Sequence, residues 1–263
     1  MTRAPLSKGI TLLIIPNFVL GAVAIALFAM GTIPLYYLWA TLIMWILFSG
    51  LGIAVGYHRV FSHRTHFLPV WKENIILACA TFAAQGSPIF WVAVHRGYHH
   101  RHTDTEKDPH SPVAHGKWHA FVGWLNDARE DDNKVNIRYA IDLLRKPNVV
   151  WFHKHYYQLI LSVPLIVALY DWKLALAMFY LPGGLSLLQD NLVNVFGHSQ
   201  GIIGYRNFDT PDRSYNNPFF GYFGWGQGWH NNHHYDPASY DFGKRWWEFD
   251  PTRIFLPFLG KKH

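Results

Sequence analysis

Charge is scarce in this chain. Only 15% of its 263 residues are Asp, Glu, Lys or Arg, against roughly 25% in an ordinary soluble domain. That deficit excludes a charge-laced, solvated surface over most of the molecule. Cysteine is nearly absent as well. Cys79 is the only one, so no intrachain disulfide can form, and its apolar setting, Ile75-Ile-Leu-Ala-Cys79-Ala80, marks a small buried hydrophobe rather than a thiolate ligand. No glycine-rich dinucleotide fingerprint occurs, so a nicotinamide would be oxidised elsewhere. The formal charge of +6 raises the question of nucleic acid. Basic runs, zinc-finger spacing and a helix-turn-helix pattern are all missing, which argues against that partner. The first apolar segment lacks a small-residue cleavage site and reads as a span rather than a signal peptide.

Apolar and aromatic residues are what the chain has in quantity. Half of it is hydrophobic and 17% aromatic, with 12 Trp and 14 Tyr, a composition that favours a membrane protein with aromatic belts. Residues 10–30 and 35–56 are each long enough for the roughly 20 helical residues a bilayer core requires, and the uncharged turn Gly31-Thr-Ile-Pro34 joins them into a hairpin. Residues 74–94 are apolar but broken by Gln85-Gly-Ser-Pro88, which fits a surface or partly dipping helix better than a full span. Residues 151–170 and 174–197 make a second hairpin around Asp171-Trp-Lys173, and Pro182-Gly183-Gly184 is expected to bend the last span. Nearly all Lys and Arg fall at the N-terminus (Arg3, Lys8), in residues 57–154 and in the C-terminal segment, while the hairpin turns hold only Lys173. By the positive-inside rule both termini and the polar segments face the cytosol. The expectation is an all-α membrane protein forming a single domain over residues 1–263. Four transmembrane helices in two hairpins carry a cytosolic helical cap made from residues 57–150 and 198–263.

Histidine carries the chemistry. His58 and His63, then His95, His99 and His100, then His230, His233 and His234 form three clusters beside apolar stretches. His198 closes a fourth in Asn194-Val-Phe-Gly-His198. Neutral imidazole is the commonest metal ligand among side chains. One ion rarely takes more than about six ligands, so nine clustered imidazoles point to two metals. Zinc, copper, iron and nickel all remain open on ligand type. At about 100° per residue, His95 and His99 share a helical face and His100 points away from His99. His230 and His234 share a face likewise, with His233 between them. His58 and His63, about 140° apart, are expected to serve different metals unless the helix is distorted there. His66, His102, His115, His119, His153, His155 and His263 read as ordinary surface or interface histidines, and His110 as intermediate.

These clusters resemble the histidine boxes of membrane fatty acid desaturases, especially the stearoyl-CoA Δ9 group. The resemblance rests on His58-Arg-Val-Phe-Ser-His63-Arg, on His95-Arg-Gly-Tyr-His99-His100 followed by Asp104-Thr-Glu-Lys-Asp108-Pro-His110, on Gly228-Trp-His230-Asn-Asn-His233-His234, and on Arg245-Trp-Trp-Glu-Phe-Asp250-Pro. It runs from about residue 10 to 257. It implies two iron ions held by the nine histidines, with Asn194 reaching one iron through a water. Gln85 and Trp91 match positions lining the bend of the acyl tunnel, and counting helical turns back from His58 puts its closed end at Leu42 and Ile46. The implied reaction is O2-dependent removal of two hydrogens from neighbouring methylenes, leaving a cis double bond. The acyl chain is carried on CoA, acyl carrier protein or lipid. The haem signature of a fused cytochrome b5 domain is missing, so a separate ferredoxin or cytochrome b5 type donor supplies electrons. Asp104, Asp108 and Asp236 are candidates to hold imidazole N–H groups. Arg59, Arg64, Arg96, Arg101 and Lys107 are expected to form a basic rim for an acidic carrier, for lipid headgroups or for an acyl carrier's phosphate. The enzyme would sit in a bacterial inner membrane or the endoplasmic reticulum, its site facing the cytosol.

Two positions depart from the Δ9 acyl-CoA pattern. Three residues separate His95 from His99 where that group has two, and Asp190 stands one turn before Asn194 where it carries a small hydroxyl residue. A hydroxylase, acetylenase or decarboxylase sharing the iron site is therefore the alternative. A metal transporter fits less well, because the histidines gather on one side and only residues 189–194 place polar groups within a span.

Overall fold

The computed structural model describes residues 5–126 and 138–260, with side-chain environments from residue 15 onward. Among these residues the fold is helix and loop, with only isolated antiparallel bridges joining Tyr205, Asn216 and Trp229. Four long helical stretches dominate: α1 (Pro5–Ala29), α2 (Leu35–Ser62), α6 (Tyr156–Tyr170) and α7 (residues 172–196). Between and after them lie α3 (Val70–Thr81), α4 (residues 88–102), α5 (Pro147–Lys154), α8 (Pro218–Phe223) and α9 (His230–Tyr235). Among the described residues only α2, at 28 residues, is by itself both long and apolar enough to cross a bilayer. Residues 15–29 and α6 are shorter apolar helices.

The outer faces of the long helices are apolar and open: Val19 and Ile25 on α1, Trp39 and Ile43 on α2, Leu165 and Leu169 on α6. Contiguous exposed apolar surface of this kind is a cost in water and the normal state against lipid. Both hairpin tips lie at one end of the bundle, where the Tyr37 hydroxyl donates to the Asp171 carboxylate. Asp171 also caps α7 by accepting from Lys173 N at 2.9 Å and Leu174 N at 3.2 Å. One turn deeper, Thr41 Oγ1 donates to Ala177 O at 2.8 Å and ties α2 to α7.

Two helices are not regular α-helices. In α2, Leu38–Trp45 is α-helical and Ile46–Ser62 is π-helical, with hydrogen bonds five residues apart. Its course beyond residue 56 carries His58 and His63 out of the apolar stretch on a rigid helix rather than on a loop. In α7 the π segment Leu176–Tyr180 precedes Pro182, and the helix runs on unbroken through Gly183 and Gly184. A proline ring clashes with the carbonyl four residues back. That carbonyl belongs to Met178, inside the widened π turn.

Residues 74–94 form two helices separated by a break at 82–87, where Ala84 and Gly86 have φ of 60° and 99°. The first of them, α3, lies directly on α2. A Cβ at Gly52 would sit 2.5 Å from the Ala80 backbone nitrogen, and one at Gly56 would sit 2.1 Å from Ile76 Cγ2. Glycine at 52 lets the two backbones touch, and glycine at 56 makes room for the Ile76 side chain. The main core collects here, with Phe48, Leu51, Ile53, Val55, Ile76, Leu77, Val92 and Phe179 all buried. Its role is positional: it fixes the ends of α2 and α4 that carry the first two histidine clusters.

Candidate metal centre

The nine histidines meet in two groups. His58, His63, His95, His100 and His233 form one, and His99, His198, His230 and His234 the other; within each, the ligand atoms lie within 4.8 Å of one another. In the first group the Nε2 atoms of His58 and His233 are 2.9 Å apart, those of His63 and His95 2.9 Å, and His100 stands 3.0 Å from both His95 and His233. In the second, His198 is 2.9 Å from His230, and His234 lies 3.1 Å from His230 and 3.2 Å from His99.

This grouping corrects the pairing of His95 with His99, and for His58 and His63 it follows the distorted helix that their spacing left open. His58 and His63 point into one site, and His95 pairs with His100, not with His99. The cause is the π turn: His63 N donates to His58 O at 3.1 Å, and the His100 N–H bonds the His95 carbonyl, so residues five apart come into register. In α9, an ordinary helix, His230 and His234 share a site as expected, and His233 is sent to the other one.

Hydrogen bonds at the remaining ring nitrogen fix three of the tautomers: His58 Nδ1 lies 2.6 Å from Gln227 Oε1, His99 Nδ1 3.1 Å from Asp108 Oδ2 and His234 Nδ1 3.1 Å from Asp212 Oδ2, while His198 Nδ1 faces Asp104 Oδ1 at 3.2 Å without a hydrogen bond. An acceptor at Nδ1 keeps the proton there and leaves Nε2 as a lone pair. Burial, and then the neighbouring imidazoles, hold His95, His100, His230 and His233 well below the ordinary imidazole range. The same causes bring His63 to about 3. Burial brings His234 to about 4 even though Asp212 opposes it. Burial by itself would raise Asp104, Asp108 and Asp212, but the imidazoles beside them outweigh it and hold all three below the usual carboxylate range.

Converging lone pairs repel unless a cation lies between them. Two imidazole nitrogens bound at right angles to one metal at about 2.1 Å stand about 3.0 Å apart, which is the spacing found in both groups. The donor sets fit two metal ions.

A cavity of about 80 Å³ opens against both groups, bounded by His58, His95, His99 and His230. Phe90, Val94, Leu125, Leu187 and Val193 make its apolar wall, and Gln85, Trp91, Asp190 and Asn194 its polar one. Trp91 stacks on His95 with ring centroids 4.9 Å apart, and its Nε1 donates to Gln85 Oε1 at 3.1 Å. Gln85 Nε2 in turn donates to the Asp190 carboxylate. Leu42 and Ile46 do not reach this cavity: Leu42 is 42% exposed on the outer face of the bundle, and Ile46 is half-buried at the start of the π segment. The count of turns back from His58 runs through a π-helix, where the number of residues per turn differs from that of an α-helix.

Asp236 is also placed differently from expectation. Its carboxylate pairs with Lys244 Nζ at 3.1 Å, beyond the end of α9. Asp212, in a loop with no sequence signature, takes the place against His234. The basic rim is reduced too. Arg59 is fully buried, paired with Asp250 at 2.7 Å and lying 3.8 Å over the Phe242 ring. Arg96 is turned inward to Asp142 and to the carbonyls of Phe61, Ser62 and Tyr139. Arg64 pairs with Asp142 at the surface, and Arg101 and Lys107 are exposed. His66, His102, His115, His119, His153 and His155 stay outside both groups, whereas His110 lies 3.4 Å from Asp108 on the edge of the second. Arg3 and His263 lie outside the described residues.

Comparison with known proteins agrees with this geometry. The sequence profile of the fatty acid desaturase family matches residues 34–262. The chain is 35% identical over 242 residues to the Delta-9 acyl-lipid desaturase 2 of Arabidopsis thaliana, covering 86% of this chain and 74% of that one. It is 35% identical over 229 residues to the sn-2 palmitoyl-lipid 9-desaturase of Nostoc sp. (strain 36), covering 83% and 78%. To the sn-1 stearoyl-lipid 9-desaturase of Anabaena variabilis it is 35% identical over 248 residues, covering 92% and 88%. The chain belongs to the fatty acid desaturase family. It is an oxidoreductase that desaturates fatty acyl chains.

Proposed function

We propose that the chain introduces a cis double bond at the ninth carbon of a lipid-bound acyl chain, using O2 and two electrons at a pair of irons. The observation that carries this reading is the pair of convergent imidazole sets beside one cavity whose far wall is apolar. The choice of a lipid carrier and of the ninth carbon draws on the names of the three relatives. The reaction balances as two hydrogens removed from adjacent methylenes, with O2, two protons and two electrons giving two waters. Irons held by His58, His63, His95, His100 and His233, and by His99, His198, His230 and His234, would supply the reductive activation of O2 that an unactivated C–H bond demands. Asn194, one turn before His198 on α7, would complete the four-histidine set through a water.

The protein's own part is positional. Phe90, Val94, Leu187 and Val193 offer an apolar track for methylenes beside the imidazoles and leave little room for bulk water. Asp190 anchors Gln85, Gln85 holds the indole N–H of Trp91, and Trp91 braces His95, so the wall of the track and a ligand are set by one hydrogen-bonded chain. In this reading α1, α2, α6 and α7 span the membrane as two hairpins with the histidine cap on the cytosolic side, and a separate ferredoxin or cytochrome b5 type protein delivers electrons. The test is expression in cells that lack Δ9 desaturation, with gas chromatography and mass spectrometry of total lipids. A new cis-9 monoene is expected. Hydroxylated or acetylenic products would replace this reading by the related reaction on the same metal site.

A further inference from the structure

The two metal positions differ in what stands behind their ligands. In the four-histidine group, His99 and His234 contact carboxylates through Nδ1, Asp108 and Asp212 respectively, both at 3.1 Å, and His198 Nδ1 faces Asp104 Oδ1 at 3.2 Å without a hydrogen bond between them. These carboxylates are themselves fixed. Asp104 accepts from Arg213 N at 2.6 Å and Asp212 from Ser214 N at 2.9 Å, so their negative ends cannot swing away. In the five-histidine group no carboxylate contacts an imidazole among the described residues. His58 backs onto the neutral amide of Gln227 at 2.6 Å, and His233 Nδ1 has no hydrogen-bond partner and packs against Phe242 at 4.3 Å between ring centroids. The nearest full charge there is a cation: Arg59 Nη1 lies 3.4 Å from the same Gln227 oxygen, with Asp250 balancing it on the far side.

An anion behind an imidazole makes it a stronger donor and favours the more highly charged state of the metal it binds. A neutral amide with a cation beside it does the opposite. We propose that the two positions are electrostatically unequal: the four-histidine position holds the ferric state more firmly, and the five-histidine position is reduced first. The five-histidine group also contains two half-buried members, His63 and His100, against one, His234, in the other group. Its iron is thus the more accessible from the cap surface to an incoming electron. The inference rests on the di-iron reading above, with the order of reduction as its added content.

The experiment is stepwise reduction of the iron-loaded enzyme followed by Mössbauer spectroscopy. Two ferric doublets are expected, lost one after the other. Asp212→Asn, which removes an anion from the four-histidine side, should bring forward the loss of the later doublet and leave the earlier one in place. Gln227→Glu, which adds an anion behind His58, should delay the earlier doublet, and this arm stands by itself where Asp212→Asn does not fold. Two doublets lost together, or an Asp212→Asn variant that moves the first doublet instead of the second, would overturn the inference while leaving the di-iron reading intact. A fully loaded protein holding fewer than two irons would overturn both.

Discussion

The third histidine cluster and the first two are built on different types of helix, and the difference decides which histidines converge. On α9, an ordinary α-helix, His230 and His234 converge four residues apart. On α2 and α4 the histidines that converge are five apart, His58 with His63 and His95 with His100, each pair closed by a backbone hydrogen bond of π type. A π turn has an energetic cost and occurs mostly as a local bulge at a functional site. Here it brings His95 and His100 into one histidine group while His99, their neighbour on the same helix, joins the other.

Metal content of single variants is the most direct way to break this comparison, and it carries the largest expected effect. His95→Ala and His100→Ala should each deplete the same site, and His99→Ala the other, with activity lost in all three and about one equivalent of iron remaining. Mössbauer spectra of the residual iron should coincide for His95→Ala and His100→Ala and differ for His99→Ala. Coincident spectra for His95→Ala and His99→Ala would restore the plain α-helical pairing.

Next in size is the support of the π turn. Arg59 Nη1 donates to Ala54 O at 2.6 Å, five residues back, while its other nitrogens reach Tyr240 O and Asp250. Removing one partner of a buried ion pair costs about 3–5 kcal/mol. At about 2–4 °C per kcal/mol for a chain of this size, Arg59→Met should lower Tm by about 6–20 °C. The surface pair of Arg253 with Asp241 is the control: Arg253→Met should cost no more than about 1 kcal/mol. Equal losses in thermal melts would show that Arg59 does not support the turn.

Much of the site was legible because liganding histidines come in clusters that composition and apolar context make conspicuous. His58, His63, His95, His99, His100, His198, His230, His233 and His234 all reappear in the two convergent groups. Their partition was legible only in part: α-helical angles gave the pairing of His230 with His234 and the divergence of His99 from His100, but not the pairs five apart, because residue spacing translates into angle only once the helix type is known. The same ambiguity misplaced Leu42 and Ile46, and it put Arg59 on a rim when the turn carries it inside. Asp212 was invisible for another reason. It meets His234 from a loop 22 residues away, and no periodicity links a loop position to a helix.

Asp212 and Asp236 sharpen the point at smaller scale. Asp212→Asn should weaken iron retention by about 10- to 100-fold, the usual cost of removing a partner behind a metal-bound imidazole. Asp236→Asn touches only the Lys244 pair and should leave it unchanged. Competition with a chelator measures both, and an effect at Asp236 would reinstate the sequence reading. The cavity wall gives a comparable contrast. Leu187, buried and lining the cavity, should on truncation to Ala change the product ratio between neighbouring chain lengths by about 10-fold. Ile46→Ala should leave chain length as it was, and a shift there would put the tunnel back along the α-helical count.

The smallest expected effect concerns the donor. With Arg59 buried and Arg96 turned inward, the exposed cations nearest the second cluster are Arg101 and Lys107. Steering by exposed charge changes encounter rates and fades as salt shortens the screening length, which is about 10 Å at 0.1 M. Reversing these two charges, Arg101→Glu and Lys107→Glu, should therefore raise the donor KM by about two- to five-fold at low ionic strength, with the difference vanishing in high salt. The kcat at saturating donor should hold, since neither side chain belongs to the metal groups or the cavity wall. Steady-state turnover against donor concentration at two salt levels reads both quantities. An Arg59→Met enzyme that shows the same salt-dependent KM change would mean that the buried guanidinium, and not the exposed pair, sets the field the donor meets. A KM indifferent to salt and to all these changes would remove steering from the account and leave Arg101 and Lys107 as plain surface residues.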